Sequence, residues 1–176
     1  MPRPFDQAEF RDTCSRFATG VCVVTSTGAD GPSGMTANAV SSLSLDPPLM
    51  IVCFALTART LEAVEHSRRF GIHFLAHDQE DVAARFASKM PEPEKFSGLE
   101  WSPRAGVPAL AGCLGWLACE LRDLTPAGDH LIGVGEVVDL SSAEGEPLVF
   151  FGGDYWALSG REEAPPEVDR ALEGPS

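Results

Sequence analysis

Residues 34–48 read Gly34-Met-Thr-Ala-Asn-Ala-Val-Ser-Ser-Leu-Ser-Leu-Asp-Pro-Pro48, a run of small hydroxyl side chains and one amide between two apolar, strand-like stretches. Hydroxyl, amide and backbone N–H groups at this spacing suit a flat polar ligand better than a packed core. By residue type alone, an ordinary polar strand and turn also explains it, since Ser and Thr readily satisfy their own backbone. Upstream, Val21 to Ser26 reads as a first strand and Thr27 to Ser33 as a Gly/Asp/Pro turn, which makes 35–45 the second extended segment. Downstream, Asp46-Pro47-Pro48 breaks the chain before the apolar strand 49–56. That strand lacks polar alternation, which predicts burial on both faces.

Further along, residues 6–19 carry a helix signal: Asp6 as cap, Glu9 at the capping-box position, and Phe10, Cys14 and Phe17 at i, i+4 and i+7. Gly20 stops it. Thr57 or Thr60 is placed to cap a short helix over 60–67 with Leu61 and Val64 inward, and Asp78 to cap a helix over 79–88 with Val82 and Phe86 on one face. Phe70 to Ala76 reads as a strand. Pro91, Pro93, Pro103 and Pro108 make 89–112 a long excursion, of the kind that is usually functional or interfacial. From Leu114 the pattern is β over 114–122, 131–140, 147–151 and 154–158. Gly133 and Gly135 fall inside a strand, where glycine marks curvature or close backbone approach. Six or seven strands with helices between some of them predict a mainly β, α+β fold: an antiparallel barrel with peripheral helices. No Gly-x-Gly-x-x-Gly opens a helix after a strand, so a dinucleotide-binding α/β sheet is not supported.

The 176 residues suit one domain, here bounded at 1–159, with an acidic and mobile tail over 160–176. Hydrophobic residues at 44% and charged ones at 22% fit neither a disordered chain nor a membrane protein. The longest apolar run, Leu49 to Leu56, is too short to span a bilayer, and no signal peptide is visible, so a cytoplasmic location is expected. A net charge of −13 argues against a nucleic-acid partner. Cys14, Cys22, Cys53, Cys113 and Cys119 form no Cys-x-x-Cys pair and are odd in number. Neither a disulfide framework nor a metal site is expected, and Cys22, Cys53 and Cys119 sit in strand-like runs where a free thiol behaves as a small apolar residue.

The segment 34–48, followed by Leu49-Met50-Ile51-Val52-Cys53-Phe54 and Thr57-Ala58-Arg59-Thr60, resembles the flavin reductase-like family of split-barrel proteins. The resemblance runs over roughly residues 8–158 and implies a Greek-key-like split β-barrel and a homodimer. It implies that the stretch holding Met35, Thr36, Ala37, Asn38, Ser41, Ser42 and Ser44 lines the flavin ring and ribityl chain, and that Thr57, Arg59 and Thr60 hold the flavin phosphate. Helix-start amides also favour an anion there; capping and an ordinary solvated arginine are the plainer readings of the same residues. Gly128-Asp129-His130 resembles the family turn that places a histidine beside the nicotinamide, although a lone histidine at a strand start is more often structural. Arg85 to Lys89 with Lys95 to Gly98 looks like the family segment that reaches the cofactor, which makes Lys89 and Phe96 candidates against a solvated lysine and a core phenylalanine. One departure is His73, where the family commonly has asparagine. The implied activity is NAD(P)H-dependent reduction of FMN or FAD, with NADH or NADPH as donor and a separate monooxygenase as recipient of reduced flavin. The competing readings are a flavin-binding electron-transfer protein without turnover and an enzyme like pyridoxamine-phosphate oxidase.

Overall fold

The computed structural model describes residues 3–158, so the expectation for the 160–176 tail lies outside the described residues. Helix α1 (Gln7–Ser15) opens the chain. Asp6 accepts from the Ala8 and Glu9 amides while the Glu9 side chain returns to the Asp6 N–H, the capping box expected from sequence. The helix is shorter than 6–19, and its apolar face is not buried in the chain: Phe10 and Phe17 are exposed.

Strands β1 (Thr19–Gly20), β2 (Cys22–Gly28), β3 (Gly31–Ala37), β4 (Val40–Leu45) and β5 (Pro48–Ala55) follow, then α2 (Arg59–Ser67), β6 (Arg69–Phe74), α3 (Glu80–Ala87) and α4 (Glu92–Phe96). A hairpin of β7 (Trp101–Arg104) and β8 (Val107–Leu110) precedes the long strands β9 (Gly115–Ala127) and β10 (His130–Ser142), and β11 (Leu148–Phe151) and β12 (Asp154–Ala157) complete the order. One seven-stranded antiparallel sheet runs β3-β2-β6-β9-β10-β5-β4.

That order forces closure. Its two edge strands, β3 and β4, are joined by Asn38 and Ala39 alone. Three Cα steps reach about 11 Å at most, whereas the edges of a flat seven-stranded sheet stand about 29 Å apart. The sheet therefore curls until its edges meet, which gives the expected antiparallel barrel with helices outside it.

The interior is built by Val24, Met50, Val52, Phe54, Phe70, Ile72, Cys119 and Leu121, joined by Leu61 and Val64 of α2 as anticipated. Phe54 and Phe70 meet edge to face at 5.9 Å. Over these rings the wall has no side chains: a Cβ on Gly133 would stand 2.7 Å from Phe54, and one on Gly135 would run into Phe70. A register shift between Val134 and Gly135 bends the strand at the same place.

Burial on both faces belongs to β2 rather than β5. Cys22 and Val24 face the barrel interior, while Val21 and Val23 pack into a second cluster with Leu75, Ala83, Phe86, Phe96, Leu110 and Leu148. In β5 only Met50, Val52 and Phe54 are buried, because among the described residues no helix covers its outer face. The excursion over 89–112 also differs from the expected loop. It holds α4 and the β7–β8 hairpin, in which Pro103 stands opposite Pro108. Two residues without N–H groups can face each other only where neither is asked to donate to its neighbour. Finally, α3 begins after Gln79 with no side-chain cap, so Asp78 does not cap it.

His73 is fully buried on β6. Its Nδ1 lies 3.0 Å from the Val23 carbonyl and its Nε2 accepts the Leu110 N–H at 3.0 Å, which sets the neutral Nδ1–H tautomer. Burial pushes its pKa down to about 4, against the smaller upward pull of the carbonyl contacts. It ties β2, β6 and β8 together as a structural group. Burial likewise pushes the Cys22 and Cys119 thiols up to about 12 and that of Cys113 to about 11, and all five cysteines are free.

Candidate functional site

Strand register gathers three of the sequence-selected segments at one end of the barrel. His130 pairs with Ala55, and the Leu56 N–H donates to the Asp129 carbonyl at 3.0 Å. On the other side of β5, the Cys53 N–H donates to the Ala39 carbonyl at 3.0 Å. The β3–β4 crossing at Asn38, the end of β5 leading to Thr57, and the Gly128–His130 hairpin are thus neighbours.

The hairpin is a two-residue loop with Gly128 at φ +66°, the glycine-first pattern of a type II′ turn. His130 is half-exposed, and its Nδ1 lies 2.7 Å from the Asp129 carboxylate. The hydrogen bond from His130 holds the Asp129 carboxyl below its ordinary range.

At the start of α2, Ala58 is the N-cap and no side chain caps the free amides. Neither threonine plays the capping part expected of it. Thr57 is exposed, whereas Thr60 is buried with its hydroxyl 3.1 Å from that of Ser33. Arg59 is half-exposed but already engaged: its Nη2 donates to the Met90 carbonyl at 2.5 Å and lies 3.0 Å from Glu92 Oε1.

Along β3 the side chains alternate. Met35 and Ala37 pack toward the barrel interior, and Thr36 points the other way, donating to the Ala83 carbonyl of α3 at 2.6 Å. Thr36, Ala37 and Asn38 also line a cavity of about 210 Å³ with Val21, Ala87, Phe150 and Tyr155. Asn38, Ser41 and Ser42 are exposed, and Ser44 is half-buried beyond a bulge in the β4–β5 pairing. Ser41 and Ser42 lie on an edge strand of the sheet order, with hydroxyl groups at the surface.

The remaining candidates separate. Lys89 is exposed between α3 and α4. Phe96 is a core residue, 4% exposed and packed edge to face on Phe86 at 5.1 Å, so it faces no ligand space. The neighbouring Lys95, not among the candidates, is the unusual group. It is 3% exposed, donates to the Gly34 carbonyl at 2.9 Å and lies 3.2 Å from Glu92. Its i,i+3 spacing from Glu92 was visible in the sequence, but such spacing on a helix ordinarily marks a solvated pair. Among the described residues no group of three or more His, Cys, Asp or Glu side chains is placed to hold a metal ion, and no helix is long and apolar enough to cross a membrane.

The family model described as "Flavin reductase like domain" matches residues 14–159. The chain belongs to the flavin reductase-like family. Among the similar relatives, an NADH-dependent flavin reductase from a Rhodococcus species is 42% identical over 158 residues, covering 87% of this chain and 88% of that one. The reductase subunit HsaB of a flavin-dependent monooxygenase from Mycobacterium tuberculosis is 36% identical over 169 residues, covering 94% and 89%. In three dimensions the chain superposes on nitrilotriacetate monooxygenase component B from Mycobacterium thermoresistibile with a TM-score of 0.85. That pair shares 34% identity, and 96% of each chain is covered. This family membership agrees with the resemblance read from residues 34–60 and 128–130.

Proposed function

We propose that the protein is an NADH-dependent flavin reductase that passes a hydride to FMN or FAD and supplies reduced flavin to a partner monooxygenase. The observation that carries this reading is the tie between the Leu56 N–H and the Asp129 carbonyl, which sets the Gly128–His130 turn against the end of β5, just ahead of α2 in the chain. The residues present fit a flavin. The first α2 amides lack a side-chain cap and suit a phosphate, and the exposed Asn38, Ser41 and Ser42 offer polar groups to a ring edge and a ribityl chain.

Bound flavin and reduced nicotinamide supply the hydride chemistry themselves, so the protein's part is alignment and shielding. Thr57 and Arg59 orient the phosphate end. His130, held by Asp129, orients the nicotinamide amide. Thr36, with its hydroxyl committed to α3, shapes the backbone from Met35 to Asn38 rather than offering a free donor. The Rhodococcus relative's nicotinamide preference supports NADH, and the role of HsaB as a reductase subunit supports a monooxygenase partner.

A homodimer belongs to the same reading. Phe5, Phe10 and Phe17 at the N-terminus and Leu45 at the β4–β5 turn, between 58% and 94% exposed, present apolar surface that a second copy would cover. The free cysteines suit a reducing, cytoplasmic setting.

The test is NADH oxidation by the purified protein with and without added FMN or FAD, alongside flavin binding followed by fluorescence and mass measured by sedimentation. Flavin-dependent oxidation is expected from a dimeric species. Flavin binding without NADH oxidation would instead assign a flavin-binding protein without turnover.

A further inference from the structure

The cation at the start of α2 is shared. Glu92 on α4 is mostly buried, and its Oε2 accepts the Gly34 N–H at 2.8 Å. Its Oε1 faces two cations, Arg59 Nη2 at 3.0 Å and Lys95 Nζ at 3.2 Å, yet receives an aligned hydrogen bond from neither. The two cations are not equivalent. Lys95 is enclosed, and its other contacts are the Gly34 and Phe86 carbonyls at 2.9 and 3.4 Å, so it cannot leave the carboxylate without stranding a charge. Arg59 is 47% exposed and can swing away. Lys95 alone thus neutralises Glu92, and Arg59 is a second, detachable partner. Asp30 and Glu62 line the same cleft of about 310 Å³, which places the guanidinium between an acidic pocket and the uncapped α2 amides.

We infer that Glu92 competes with the flavin phosphate for Arg59, as a positioning residue that holds the guanidinium in the free protein and lowers flavin affinity. This rests on the reading that Arg59 meets the phosphate. Phosphate capture then gives up the Glu92 and Met90 contacts of Arg59, so part of its attraction is offset, which suits a protein that must release reduced flavin.

Glu92→Gln alone would leave Lys95 buried without a counter-charge. The test therefore uses Glu92→Gln with Lys95→Met, exchanging the pair for neutral side chains, together with Arg59→Gln and the triple variant. Dissociation constants for FMN and riboflavin are read by fluorescence quenching. The double variant is expected to bind FMN about threefold to fivefold more tightly, the scale of a partly exposed ion pair, and riboflavin as the wild type does. The gain should vanish in the triple variant. Equal changes for both ligands, or unchanged FMN affinity, would overturn the competition. An unchanged FMN-to-riboflavin ratio in Arg59→Gln would instead overturn the phosphate role itself, so the two failures are distinguishable. If the double variant does not fold, Glu92→Asp keeps the charge beside Lys95 while drawing it back from Arg59, with the same FMN-specific tightening expected and the same overturning results.

Discussion

The Nδ1 atom of His130 lies 2.7 Å from the Asp129 carboxylate, one residue earlier in the same hairpin. A carboxylate there accepts from Nδ1–H and leaves Nε2 as the unprotonated nitrogen of the neutral ring. The pair stands on a glycine-led turn whose backbone is bonded to the end of β5, so the imidazole is carried by the barrel wall and not by a free loop.

His130→Ala should leave the flavin dissociation constant near that of the wild type and slow hydride transfer in single turnovers with NADH about tenfold, or roughly 1.4 kcal/mol of lost alignment. Asp129→Asn should cost less. The double variant should be no slower than His130→Ala, because Asp129 acts through the ring. Stopped-flow flavin absorbance checks all three; a large loss of flavin affinity in His130→Ala would place the side chain against the flavin instead.

Thr60→Val should lower stability by about 1 kcal/mol, since it leaves the buried Ser33 hydroxyl without its partner. The ratio of FMN to riboflavin affinity should not move. Urea unfolding and paired titrations separate this outcome from a direct phosphate contact, which would change the ratio.

Acid should weaken the fold through His73. Its folded pKa is lowered to about 4 from the ordinary 6.5, so the ring is neutral in both states above pH 6.5 and contributes no pH dependence there. As pH falls from 6.5 toward 4, only the unfolded chain takes up the proton, and stability drops by up to about 3 kcal/mol before levelling. Comparing the urea midpoints of wild type and His73→Asn at pH 7, 5.5 and 4.5 isolates this contribution. Parallel pH profiles for the two proteins would assign the acid sensitivity to other groups.

Gly135→Ala should cost about 3 kcal/mol, because its methyl would collide with Phe70 and Cys119 in a closed interior. Gly128→Ala meets nothing within 4 Å and should cost about 1 kcal/mol through its positive φ alone. Thermal unfolding of the two variants should rank them in that order.

Some of the backbone geometry around the candidate site was legible locally. Gly128-Asp129-His130 announced a tight turn, and glycines at 133 and 135 inside a strand pattern announced a close approach, because backbone conformation and the absence of a side chain are properties of the residues themselves. What each polar side chain bonds to was not legible. Thr36 reads in sequence as a flavin-lining hydroxyl and Thr60 as a helix cap or phosphate contact, yet each spends its hydroxyl inside the fold, on Ala83 and Ser33. Phe96 read equally well as ligand contact or core, and Phe86 across the second cluster decided it. Lys95 carries no local signal of burial and is enclosed, since the cover over it comes from β3 and α3, 61 and 9 residues away at the contacting carbonyls.

The sequence by itself determined the strand-rich composition, the α1 capping box and the family, because these depend on neighbours within a few residues or on motifs in order along the chain, whereas β9 runs on to Ala127, past the expected strand end at 122. Only the tertiary structure decided that β2, not β5, is covered on both faces, and that Arg59 is held by Glu92 before any ligand arrives. Both outcomes follow from how the sheet curls. Two residues link its opposite edges, and the closure this compels sets which faces and charges meet across long sequence separations, where local pattern carries no information.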